Sequence, residues 1–138
     1  MCKFIKIDDN WGIKVYTYKE YRDYAWTAQQ NMHRVECAPA VGIKIDIGNK
    51  YCYLTQIAEP IMPALHDKHT EQEYRQWQDE YSEKWHSGVK HNIEEVVDKM
   101  RANGYKMYDN HLCNYGWLHG KLVCIDFGDA YEVMTENW

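Results

Sequence analysis

The 138 residues carry 16 basic against 21 acidic side chains, a net charge of −5, and no basic run stands out. A chain of this length buries one core without disulfides or metals as staples, and without a basic patch no nucleic-acid partner is expected. Its longest apolar runs, such as 122–125, stay far below the ~20 residues that span a bilayer, and no signal-peptide block opens the chain, so a cytoplasmic protein with no membrane partner is expected.

Lys3-Phe4-Ile5-Lys6-Ile7, the turn formers Asp8-Asp9-Asn10 and Trp11–Tyr16 read as a hairpin, with Lys14 mid-strand among apolar neighbours. Between Lys19 and Val35, Tyr21, Tyr24, Ala25, Ala28, Met32 and Val35 recur on one helical face, and Pro39 follows as a stop. Val41, Ile43, Ile45 and Ile47 alternate with Gly42, Lys44 and Asp46, and Gly48-Asn49 suits a tight turn into Tyr51–Thr55. Pro60 and Pro63 predict a connector at 59–63. Thr70 with Glu73 is a capping-box signature, followed at helical spacing by Tyr74, Trp77, Tyr81 and Trp85, a stripe most simply read as packing under the sheet. Beyond Ser87-Gly88, a second helix carries Val89, Ile93, Val96, Val97 and Met100 and ends at Asn103-Gly104. Tyr115–Leu118 and Lys121–Ile125 predict a final hairpin across His119-Gly120. The five cysteines are scattered with no CxxC pair, as suits free thiols in a reducing compartment. His66-x-x-His69 has no third ligand at suitable spacing, so no zinc site is expected.

The polar residues that interrupt apolar context are Lys14, Asp109, His111, Asn114 and Asp126. An aspartate that ends a hydrophobic strand is a suitable mount for a hard cation such as Mg²⁺, and Asn114 offers a second, neutral oxygen. Asp109 is placed to take a proton from an acceptor hydroxyl, and Lys14 to neutralise phosphate oxygens. His111 reads as a residue that hydrogen-bonds its own loop. A lone strand lysine is ordinarily a solvated edge residue, and Asp126 alone would pass for a turn former.

Together these residues resemble the protein-kinase-like phosphotransferases. Asp109-Asn110-His111-Leu112-Cys113-Asn114 is similar to the D-x-H-x-x-N loop of the aminoglycoside- and choline-kinase-like branch, Asp126-Phe127-Gly128 matches D-F-G, and Gly12-Ile13-Lys14-Val15 resembles V-A-I-K. The motifs stand in the family's order across about residues 3–130. The resemblance implies an α+β, two-lobed, truncated kinase-like fold in one domain. Residues 1–58 would form an antiparallel sheet with one helix, and 59–138 a reduced helical lobe carrying the catalytic-loop hairpin. It also implies ATP and Mg²⁺ as cofactors, with Lys14 and Asp109 catalytic, Asn114 and Asp126 on the metal, and a hinge at 55–59 whose Gln56, Ile57 and Ala58 read adenine through backbone groups.

This sequence departs from the family in several places. No glycine-rich loop precedes Lys14, and the helix that should pair it with a glutamate offers Gln29 or Gln30, with Glu20 and Glu36 near its ends. Met107-Tyr108 replaces the usual residues before the catalytic aspartate, and only ten residues follow Gly128, so the activation segment and the anchoring helices are expected to be missing. The leading expectation is ATP-dependent phosphoryl transfer, with a protein among the acceptors; the alternative is a catalytically inactive kinase-like module that binds a protein partner, with or without nucleotide.

Overall fold

Asp8 closes the first hairpin. Its carboxylate accepts the N–H groups of Asn10 and Trp11, both at 2.8 Å, and turns β1 (Cys2–Lys6) into β2 (Trp11–Tyr16). The computed structural model describes residues 2–107 and 111–127. With β3 (Val41–Ile47) and β4 (Lys50–Gln56) these strands make an antiparallel sheet of order β1-β2-β4-β3. Gly48, at φ +60°, supplies the left-handed residue that the β3–β4 turn requires.

Helix α1 (Lys19–Arg34) packs on one face of this sheet, but its buried face is rotated from the expected one. Arg22, Ala25, Ala28, Gln29 and Met32 point inward, while Tyr21, Tyr24 and Val35 are only half-buried. The interior admits Arg22 because its guanidinium donates to Asp23 at 2.7 Å, to Asp46 on β3 at 2.8 Å and to the Cys52 carbonyl at 3.0 Å. Lys44 also reaches toward α1, at 3.5 Å from Asp23 and over the Trp26 ring. The polar residues of β3 therefore face the helix, and its isoleucines face away.

The connector expected at 59–63 is partly a strand. β5 (Glu59–Pro60) pairs with β6 (Tyr115–Leu118), which pairs with β7 (Lys121–Cys124), giving a second sheet of order β5-β6-β7. Proline is tolerated there because β5 is an edge. The β6–β7 turn has both central residues left-handed, His119 at φ +50° and Gly120 at φ +79°.

Helix α2 (Glu71–Lys84) opens on the capping box: Glu73 N–H donates to Thr70 Oγ1 at 3.1 Å and Thr70 N–H to Glu73 Oε1 at 3.3 Å. It runs through a wide turn at 85–89, where Gly88 is left-handed at φ +102°, into α3 (Lys90–Ala102). Ile93, Val97 and Met100 of α3 enter the core with Met62, Leu112, Tyr115 and Phe127. The aromatic stripe of α2 does not pack under the four-stranded sheet. Trp77 and Tyr81 instead bracket His111, with ring centroids at 5.7 and 4.7 Å, and the Tyr81 hydroxyl accepts the Leu112 N–H at 3.1 Å. The fold is thus α+β with antiparallel sheets. Among the described residues no helix is long and apolar enough to cross a membrane.

Candidate functional site

β2 lies inside the sheet, between β1 and β4, so Lys14 is not an edge residue. Strand alternation turns it toward α1 and Tyr53, its register partner on β4. Only 7% of Lys14 is exposed. Its ammonium donates to Gln29 Oε1 at 3.0 Å and to the Ile125 carbonyl at 2.8 Å, and lies 5.7 Å from the centroids of both the Tyr53 and Phe127 rings.

Of the two glutamines the sequence offers, Gln29 is the one that meets the lysine. It is fully buried, and its amide is used at both ends. Oε1 accepts from Lys14 and from the Tyr53 hydroxyl at 2.8 Å, while Nε2 donates to the Pro39 carbonyl at 3.1 Å and to Thr55 Oγ1 at 2.7 Å. A lysine only donates and a carbonyl only accepts, so the amide cannot be turned round. The sequence signal was a glutamine one helical turn from both Ala25 and Met32, in a position that faces the core.

Ile125 joins Lys14 to the other motif residues. Its N–H donates to the Asn114 carbonyl at 2.8 Å, and Asp126 follows directly, half-buried. Phe127 is fully buried, edge-to-face with Tyr105 at 5.2 Å, and anchors this segment. His111 accepts the Cys113 N–H on Nδ1 at 3.2 Å and so holds its own loop, the role read from sequence. Asn114 closes the same short turn, donating its N–H to the His111 carbonyl at 2.9 Å. Asp109 and Gly128 lie outside the described residues.

A cavity of about 330 Å³ opens at this point, lined by Phe4, Lys14, Pro39, Thr55, Gln56, Ile57, Ala58, Pro60, Met62, Ala64, Cys113, Ile125 and Asp126. Lys14, the 56–58 segment and Asp126 thus share one wall system. Asn114 is not on that wall; its neighbour Cys113 is. Two of the three amides proposed to read a base are already engaged: Gln56 N–H donates to the Ala40 carbonyl and Ile57 N–H to the Asn10 carbonyl, both at 2.8 Å. Ala58 N–H has no such bond among the described residues. Sequence reasoning missed Phe4, Met62 and Cys113 as lining residues. Phe4 was findable, since it stands opposite Lys14 in the β1–β2 register. Its ring lies where a Cβ at position 12 would be, 2.3 Å away at the nearest atom, so Gly12 is needed to admit it.

No protein-family model matches this chain. No curated protein matches it either. A larger, open groove of about 650 Å³ lies between β5, the turn at 85–89 and Trp117. Its lysine, Lys84, is engaged by the Ile61 carbonyl at 2.7 Å and by Glu80 at 3.3 Å. The cavity at Lys14, where a buried cation meets a carboxylate-bearing strand end, has the stronger chemistry.

Proposed function

We propose that the chain is a minimal, two-lobed kinase-like module that binds a nucleoside triphosphate with Mg²⁺ in the 330 Å³ cavity and transfers its terminal phosphoryl group. One observation carries the reading: Lys14, buried in β2, is bonded to Ile125, a residue 111 positions away and adjacent to Asp126. The motif residues at opposite ends of the sequence therefore converge beside the 56–58 segment. In this reading the base sits against that segment, with Ala58 N–H as the amide that meets its edge, and Lys14 neutralises phosphate oxygens. Asp109 is assigned to the acceptor hydroxyl by its motif spacing alone.

Asp126, on the cavity wall, offers the hard carboxylate oxygen that Mg²⁺ takes, while Asn114, off that wall, is assigned to the metal by its motif spacing alone. Mg²⁺ ordinarily takes one or two protein oxygens and completes its shell with phosphates and water. When bound it supplies neutralisation of phosphate charge; the protein supplies position.

The test is thermal unfolding with ATP and Mg²⁺. Ligand at about 100 times its dissociation constant adds roughly 2.7 kcal/mol, a shift of several degrees in a domain of this size. Asp126→Ala should abolish the shift, and release of label from γ-labelled ATP to an acceptor should require Asp109. No shift at millimolar nucleotide would refute the proposal.

The first hairpin favours a second reading, an inactive module that binds a protein partner. The N–H groups of Ile7 and Asp8 go to the Trp11 carbonyl, and those of Asn10 and Trp11 to Asp8, so the turn uses its amides internally where a glycine-rich loop would present them to phosphate. Nucleotide binding without transfer to any acceptor, water included, would select this reading.

A further inference from the structure

Helix α2 sends no residue fully into the core, although Trp77, Tyr81 and Trp85 form a stripe along one of its faces. The rings stand in series, with centroids 5.3 Å apart from Trp77 to Tyr81 and 6.5 Å from Tyr81 to Trp85. What this stripe touches is the wall of the cavity at Lys14, in two places.

Trp77 joins two segments of that wall. Its indole N–H donates to the Pro63 carbonyl at 2.9 Å, and Pro63 lies between Met62 and Ala64, both of which line the cavity. Its ring stacks on His111, 5.7 Å between centroids and 17° between planes. The polar edge thus fixes the ring whose face meets the histidine. His111 in turn accepts the N–H of Cys113, a third lining residue, at 3.2 Å. Tyr81 holds the same turn, with its ring 4.7 Å from His111 and its hydroxyl accepting the Leu112 N–H at 3.1 Å. From the turn, the Asn114 carbonyl accepts the Ile125 N–H and the Ile125 carbonyl accepts the Lys14 ammonium, both at 2.8 Å. An unbroken series of contacts therefore runs from α2 to the buried cation.

We propose that Trp77 and Tyr81 are positioning residues for phosphoryl transfer, a clamp outside the cavity that sets the 111–114 turn against the 62–64 wall; this rests on the kinase-like reading of the site. Reacting groups displaced by about 1 Å lose on the order of 10²-fold in rate, even when the cause lies far from the chemistry. The clamp touches the turn and the wall from behind, so its loss should fall on turnover more than on nucleotide affinity.

Turnover of γ-labelled ATP with Mg²⁺ by the whole chain, counted as label on the chain itself and as free phosphate, tests this beside calorimetric ATP binding. Trp77→Leu should lower kcat at least tenfold and leave the ATP dissociation constant within about threefold. Trp77→Phe, which keeps a ring against His111, should recover most of the loss. Tyr81→Phe keeps its ring and loses one acceptor, so amide exchange at Leu112 should speed up and kcat should fall about threefold. A Trp77→Leu variant that is folded by circular dichroism and turns over like the wild type overturns the proposal and leaves the reading of the site intact. A Trp77→Phe variant as slow as Trp77→Leu does the same. If Trp77→Leu does not fold, Tyr81→Phe decides, and unchanged kcat with unchanged Leu112 exchange overturns the clamp. A wild type that binds ATP and transfers to no acceptor, water included, removes the reading and the proposal together.

Discussion

Replacing Gln29 by glutamate would restore the residue type that a kinase-like lysine ordinarily meets, yet the structure predicts that it harms this protein. The amide makes four hydrogen bonds without access to water. Gln29→Ala sets the scale: it strands several buried polar partners at about 1–3 kcal/mol each, and because they share one network the total should be about 3–5 kcal/mol. Glutamate keeps the oxygen that faces Lys14 but turns a second oxygen toward the Pro39 carbonyl, which has no proton to give. Thr55 would satisfy that oxygen only by giving up its bond to the Gln56 carbonyl at 3.1 Å. The stronger attraction to Lys14 is offset by the cost of burying a carboxylate. The expected net effect is destabilisation by about 1–2 kcal/mol at neutral pH, a fall in Tm of roughly 3–6 °C. Urea and thermal unfolding of the wild type, Gln29→Glu and Gln29→Ala measure it. A glutamate variant as stable as the wild type would refute the argument that the donor end of the amide is required.

Thr70→Ala removes one bond of the capping box and should cost about 1 kcal/mol in urea unfolding, with fraying at the start of α2 seen by amide exchange. Phe127→Ala empties a fully buried site and should cost about 3–5 kcal/mol in the same assay, well beyond any surface substitution in α2. Burial works against ionisation of Asp23, but the hydrogen bond and charge of Arg22 prevail and hold its carboxyl below the ordinary aspartate range. Its stabilisation is therefore complete above the unfolded-state pKa and is lost as pH falls through the folded one, so Asp23→Asn should flatten the acid limb of a stability–pH profile. Burial pushes the Cys37 and Cys52 thiols up, so both should alkylate at neutral pH only as fast as the chain opens, and faster in urea.

Local signals carried the elements. Asp8 in the first turn, the alternation from Val41 to Ile47, the Thr70–Glu73 box and the His119-Gly120 pair each act within a few residues, and each forms what its chemistry dictates. What sequence did not yield depends on contacts across the chain. Arg22 entered the core because Asp46, 24 residues on, lies within reach, and periodicity cannot price such a pair. β5 exists because β6 offers it an edge. The α2 stripe had the right spacing for packing, but its actual neighbour, His111, belongs to a distant loop. At the site, Lys14 and Asp126 were legible as chemistry interrupting apolar strands, whereas Ile125 as their link was not, because its carbonyl and its N–H do the work and its side chain gives no sign of it.

The outer strands of the two sheets bear on how this chain avoids edge-to-edge pairing. Beside β7, the Cys124 N–H is taken by the Cys37 carbonyl at 2.8 Å, and Lys121 is tied to Glu36 at 3.0 Å. On β3 the ladder is broken by a bulge between Val41 and Lys44, and the Gly42 carbonyl there accepts the Trp26 indole N–H at 2.9 Å. Lys3 and Lys6 put charge along β1. Rims blunted in this way resist the edge-to-edge strand addition that leads to fibres. The exposed isoleucines of the four-stranded sheet thus lie between rims that are charged or broken, and its edges offer little to a further strand.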